Sequence, residues 1–138
     1  MFKKMLKNER GLTLIELLAV VVILGIIAAI AVPSISGIIK NSKEDAVITE
    51  ASQIIDAAKL FVTNESPAFT SNVLTITKST TGFDKYLDTS SNFTVKVTET
   101  SGKFTYAITG HEINSITTIP AFTDTGGATE AEIKDHLN

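Results

Sequence analysis

The chain contains no cysteine. That excludes a disulfide framework and a thiolate metal site. Small extracellular domains often lean on disulfides, so this one must stand on packing, or on its neighbours in an assembly. Histidine is scarce as well. His111 falls in a turn and His136 in the tail, at no metal-ligand spacing, and both are expected as solvated surface residues. No glycine loop is built to cradle phosphate, and no nucleophile has a base near it in sequence. Nothing here therefore reads as an enzyme, a cofactor site or a metal site. Basic charge is missing from most of the length: from Lys40 onward 8 Lys stand against 13 Asp or Glu, a net of −5. A nucleic-acid surface normally needs a basic patch, so no nucleic-acid partner is expected. There is no internal repeat, and 138 residues are enough for one domain.

What the chain does have is one long apolar run. Residues 11–32 read GLTLIELLAVVVILGIIAAIAV, interrupted only by Thr13 and one carboxylate, Glu16. As a helix, the 21 residues from Leu12 to Val32 would span about 31 Å at about 1.5 Å per residue, close to the hydrocarbon thickness of about 30 Å. A run this apolar either crosses a membrane or is buried in protein. Lys3, Lys4, Lys7 and Arg10 precede it, which places the N-terminus on the cytoplasmic side. A carboxylate near one end of such a helix is expensive and calls for a partner.

The segment Arg10-Gly11-Leu12-Thr13-Leu14-Ile15-Glu16 resembles the processing signature of type IV prepilins and their pseudopilin relatives. That pattern is a short basic leader ending in Gly, a hydrophobic residue, Ser or Thr, two apolar residues, Glu, and a long apolar helix. Glu16 stands fifth after Gly11, while Leu12 occupies a position where Phe is commoner. Gly25 and Pro33 fall where many type IV pilins carry a helix-loosening Gly and a Pro. The resemblance is specific over residues 3–33 and fades beyond.

It implies an α+β type IV pilin fold, with a long N-terminal helix packed by its second half on a C-terminal antiparallel sheet. It implies a leader at 1–11, a transmembrane and fibre-core helix at 12–39, and a globular domain at 40–138 with a helix at 40–62. It also implies cleavage between Gly11 and Leu12 by a prepilin peptidase, N-methylation of Leu12, and an assembly ATPase with a platform membrane protein. The product is then a homopolymeric helical fibre, serving adhesion, motility or biofilm. Before assembly the subunit sits in the cell membrane with its N-terminus cytoplasmic; afterwards it is extracellular.

Cleavage would create an α-amino group on Leu12, four residues from Glu16, and that ammonium of one subunit could meet Glu16 of a neighbour. Pili of this family often show melting between the Gly and the Pro. The expectation is a continuous helix in the isolated subunit and an unwound stretch from Gly25 to Pro33 in the fibre. A pseudopilin of a type II secretion or competence machine would share every N-terminal feature, and a plain N-anchored protein would keep Met1. The competing secretory reading takes 12–28 as an h-region and Ala29-Ile30-Ala31 as its cleavage site; it must accept Glu16 inside an apolar run longer than about 15 residues.

Beyond Pro33 the pattern turns amphipathic. Val47, Ala51, Ile54, Ala58 and Phe61, with Ile55 and Val62, form a stripe that should pack on a sheet. Pro67 ends the helix. Residues 73–77 read as a short strand, 79–82 as a turn and 83–87 as one helical turn. Residues 93–98 and 104–109 alternate apolar and polar, the mark of half-buried strands, with residues 100–103 as the hairpin turn between them. Residues 112–119 are expected as a third meander strand. Residues 130–137 are expected as a terminal helix capped by Thr129 with Glu132. The tail carboxylates Asp124, Glu130, Glu132 and Asp135 form no calcium-loop spacing and are expected to be solvated.

Overall fold

In the computed structural model residues 13–138 are described. The first helix, α1, is assigned over Phe2–Glu65, and its described part begins at Thr13. The fold is α+β: this long helix is followed by a four-stranded antiparallel sheet, the arrangement of the pilin fold. The chain divides into two compact units, with the boundary between Ser42 and Lys43.

From Leu17 to Val32 the helix is apolar on every side. In the second unit it becomes one-sided. Ile48, Ala51, Ile55, Ala58 and Val62 are buried at steps of three and four, and Ile54 and Phe61 widen the same face. The helix ends at Glu65, later than residue 62. Ser66 takes a left-handed backbone at φ 43° and donates its N–H to the Val62 carbonyl at 3.2 Å, and Pro67 prevents continuation.

The sheet is a plain meander, β1 (Val73–Thr77), β2 (Thr94–Thr100), β3 (Lys103–Thr109) and β4 (Ala128–Thr129), each paired with the one before it. Ser101 and Gly102 form the β2–β3 loop, both at positive φ, which is the type I′ geometry whose twist suits a two-residue hairpin. Register puts Leu74, Val97 and Tyr106 in one cross-strand row and Ile76, Val95 and Ile108 in the next. These rows form the core with the α1 face. Full burial of an Ile or Phe side chain contributes about 1.5–3 kcal/mol, so the two rows and the helix stripe dominate stability. Phe61, Phe83, Phe93 and Tyr86 close one end of this core through ring contacts at 5.7 to 5.9 Å. Residues 83–85 make a 3₁₀ turn that delivers Phe83 into it.

The expected third meander strand over 112–119 is not a strand. Residues 112–115 and 120–123 are 3₁₀ turns. The reason lies in the spacing: Ile113, Ile116, Ile119 and Phe122 recur every third residue, the 3₁₀ period. Hydrogen bonds from Ile116 N to Ile113 O, Ile119 N to Ile116 O and Phe122 N to Ile119 O follow that period. Asn114 holds the segment by donating Nδ2 to the Ile108 and Phe122 carbonyls. The fourth strand is instead β4. Its approach depends on Gly127, at φ 83°, where a Cβ would stand 2.4 Å from the Ile108 carbonyl oxygen. The closing helix α2 (Glu130–Leu137) carries the expected cap, with Glu132 N donating to Thr129 Oγ1 and Thr129 N to Glu132 Oε2.

Candidate functional site

The N-terminal unit carries the residues singled out in the sequence. Every large apolar side chain from Leu14 to Ile39 is exposed, at 49% to 70%. None of the most apolar 18-residue window is buried, and the helix is long and apolar enough to cross a membrane. A helix apolar on all sides is stable only where lipid or other protein surrounds it.

Glu16 is exposed on this helix, and it is the one ionisable side chain from Thr13 to Ile39. Gly11 and Leu12, the expected cleavage pair, lie outside the described residues. Helix α1 passes through Gly25 and Pro33 without a break in its assignment. A Cβ added at Gly25 would meet nothing within 4 Å, so packing within the chain does not demand glycine there. Beside Pro33, which has no N–H to give the Ala29 carbonyl, Ser36 Oγ donates to the Val32 carbonyl at 3.0 Å, a back-bond of the kind that loosens helices. The structure thus sets Glu16, Gly25 and Pro33 along one exposed rod.

The globular unit holds a polar centre that the sequence pattern does not announce. His111 is not a solvated turn residue; its side chain is fully buried. Nδ1 accepts from the Ile113 N–H at 3.2 Å and caps the 3₁₀ turn at 112–115, while Asn114 Oδ1 accepts from the His111 N–H. One signal is present in the sequence, since Asn114 stands three residues after His111, the spacing of a capping box. Because Nδ1 accepts, the proton of the neutral ring sits on Nε2, 3.5 Å from Glu50 Oε2 on α1. That distance makes an electrostatic contact rather than a hydrogen bond.

Glu50 Oε1 in turn accepts from Ser91 Oγ at 2.7 Å and Thr89 Oγ1 at 2.8 Å. These hydrogen bonds, Ser91 first, outweigh partial burial and, with His111, hold the Glu50 pKa below its ordinary value. At Glu130, burial alone would raise the pKa, but hydrogen bonds and charge from Lys134 and Lys59 win and lower it. A carboxylate with a depressed folded pKa stabilises above its unfolded value of about 4.5 and loses that contribution as pH falls through the folded one. Acidification through and below the ordinary carboxylate range should therefore lower the melting temperature of the wild type more than that of Glu50→Gln. Melting curves of both proteins between neutral pH and pH about 3 check this, and parallel curves would remove Glu50 from the account.

Of the tail carboxylates, Glu130 is tied to Lys59 and Lys134, and Glu132 serves the α2 cap. Among the described residues no group of three His, Asp or Glu is placed to hold a metal ion.

An exposed apolar helix followed by an antiparallel meander is an α+β arrangement whose N-terminal helix fits membrane anchoring. Residues 6–32 match the model of the prokaryotic N-terminal methylation motif. The chain thus carries the hallmark of type IV prepilin-like proteins, over a segment that spans Gly11, Leu12, Glu16 and Gly25 and stops just before Pro33. No curated protein and no solved structure gives a significant match to the chain.

Proposed function

We propose that the chain is a prepilin, a structural subunit of a type IV pilus rather than an enzyme. The observation that carries this reading is the methylation motif at 6–32 together with a helix segment, Leu14 to Ile39, whose large apolar side chains are all exposed. Such a helix fits membrane anchoring, and in a fibre the same side chains would be buried against neighbouring copies. Residues 1–11 are then the leader, 12–39 the membrane and fibre-core helix, and 40–138 the globular domain. A prepilin peptidase cuts after Gly11 and methylates Leu12, and an assembly ATPase and a platform membrane protein drive polymerisation. Glu16 meets the Leu12 ammonium of a neighbour.

The stretch from Gly25 to Pro33 is the weak part of the rod. Gly25 lowers helix propensity by about 1 kcal/mol relative to Ala, and Pro33 leaves one carbonyl without a helical donor. In lipid those backbone groups must stay paired. In a fibre, packing among neighbours replaces that constraint and the stretch unwinds.

Sequencing the N-terminus of the mature protein tests the processing on which the rest depends. The expected product begins at N-methylated Leu12. A product beginning near Val32 would make the apolar run a secretory signal, and one that retains Met1 would make it a plain anchor; either overturns the reading.

A further inference from the structure

β4 covers only Ala107 and Ile108 of β3. At Glu130 the chain turns into α2, so the strand stops where it would next have met Tyr106. The antiparallel ladder, counted from the two-residue loop Ser101-Gly102, directs the N–H and C=O groups of Lys103, Thr105 and Ala107 toward β2. It directs those of Phe104, Tyr106 and Ile108 to the opposite edge. Ile108 finds Ala128 there. Phe104 finds no strand there, and Tyr106 has only its N–H left over, because the pairing of Ala107 with Thr129 sets the Glu130 N–H against the Tyr106 carbonyl. Beside them lies an open groove of about 620 Å³, walled by Glu130, Ala131 and Lys134 of α2 and floored by the sheet. An open edge of this kind is a template for one more strand.

Charge narrows the choice of strand. Lys96 and Lys103 line the groove, and neither has an ion-pair partner among the described residues. The one acid that lines it, Glu130, is already held by Lys59 and Lys134. The groove is therefore basic on a unit that is otherwise acidic. The chain's own edges suit it poorly. Pairing β3 with β3 of a second copy would set the same lysines close together, and β1, the other free edge, has no acidic residue in Val73–Thr77 and is followed by Lys78. Like charges across a ladder destabilise it.

We infer that the free edge of β3 binds an extended acidic peptide segment of another protein as an added strand. The N–H and C=O of Phe104 and the N–H of Tyr106 supply the ladder, and Lys96 and Lys103 meet the carboxylates. The inference does not depend on fibre formation.

Full-length protein in detergent micelles, titrated with a short blocked peptide of alternating Glu and Thr and read by fluorescence anisotropy, tests it. Saturable binding is expected. Lys96→Glu combined with Lys103→Glu should weaken it by about tenfold, the sum of two modest surface charge pairs. N-methylation of alternate peptide amides should abolish it, because it removes the ladder donors and leaves the charges. Both lysines are exposed, so the double variant should melt with the wild type. Four results would each overturn the inference: no saturable binding, equal binding of a Lys and Thr peptide, equal binding of the N-methylated peptide, or self-association of the protein through this edge in place of peptide binding.

Discussion

Gly11→Val is expected to leave essentially all of the protein as full-length, membrane-held precursor, with no subunit in the sheared surface fraction. The physical basis is access. A protease must bring its catalytic groups against the scissile backbone, and glycine alone presents that backbone without a Cβ. Valine adds a β-branched side chain at the bond to be cut, and it also restricts the backbone there. The apolar helix that follows is untouched, so insertion in the membrane should proceed as before. Blotting whole cells and sheared material with an antibody to the globular domain reads both outcomes together. A normal-length mature band from the variant would place the cleavage site elsewhere.

Glu16→Leu is expected to give a subunit that is inserted and cleaved normally and yet barely assembles. In the membrane the substitution is favourable, because it removes a carboxylate from an otherwise apolar rod. In a fibre where Glu16 faces the Leu12 ammonium of a neighbour, it would strand that ammonium. Removing one partner of a buried ion pair costs about 3–5 kcal/mol, because the remaining charge has nothing to face. At about 1.4 kcal/mol per tenfold change, each subunit addition should weaken by about a hundredfold or more. Sheared fibre should then fall to the detection limit while total mature subunit is unchanged. Fibre at the wild-type level would remove the pairing model and leave the cleavage assignment standing, so the two variants separate processing from assembly.

The parts of the fold that are legible in the sequence have strong local periods. The stripe Val47, Ala51, Ile54, Ala58 and Phe61 recurs every three to four residues, with Ile48 rather than Val47 as its fully buried first member, and β2 and β3 alternate, with Ser101-Gly102 between them in a turn geometry that suits their twist. The 3₁₀ run through Ile113, Ile116, Ile119 and Phe122 resembles a strand in sequence because a three-residue period lies between the helical and extended ones. β4 has two residues, too few to show any period, and it owes its place to Gly127 passing close to the Ile108 carbonyl, a contact made only in three dimensions. The burial of His111 is hidden from the sequence because it depends on Glu50, 61 positions earlier on α1. The candidate site is the reverse case. Gly11, Leu12, Glu16, Gly25 and Pro33 are proposed from a resemblance carried along one segment, and the structure adds that the large apolar side chains of its described part are exposed.

The meander order also bears on how the chain reaches this fold. Synthesis delivers α1 first, then β1, β2, β3 and β4 in turn, and each strand pairs with the one delivered just before it. No segment has to wait for a later one to separate two strands, as a parallel crossover would require. Hydrophobic rows can therefore zip onto the helix stripe as they emerge, with little sheet edge left open for long, which is the condition under which a nascent chain escapes aggregation. The exception is β4, which seats only once Gly127 has passed over Ile108. Until it does, the Ala107–Ile108 stretch of β3 stays uncovered.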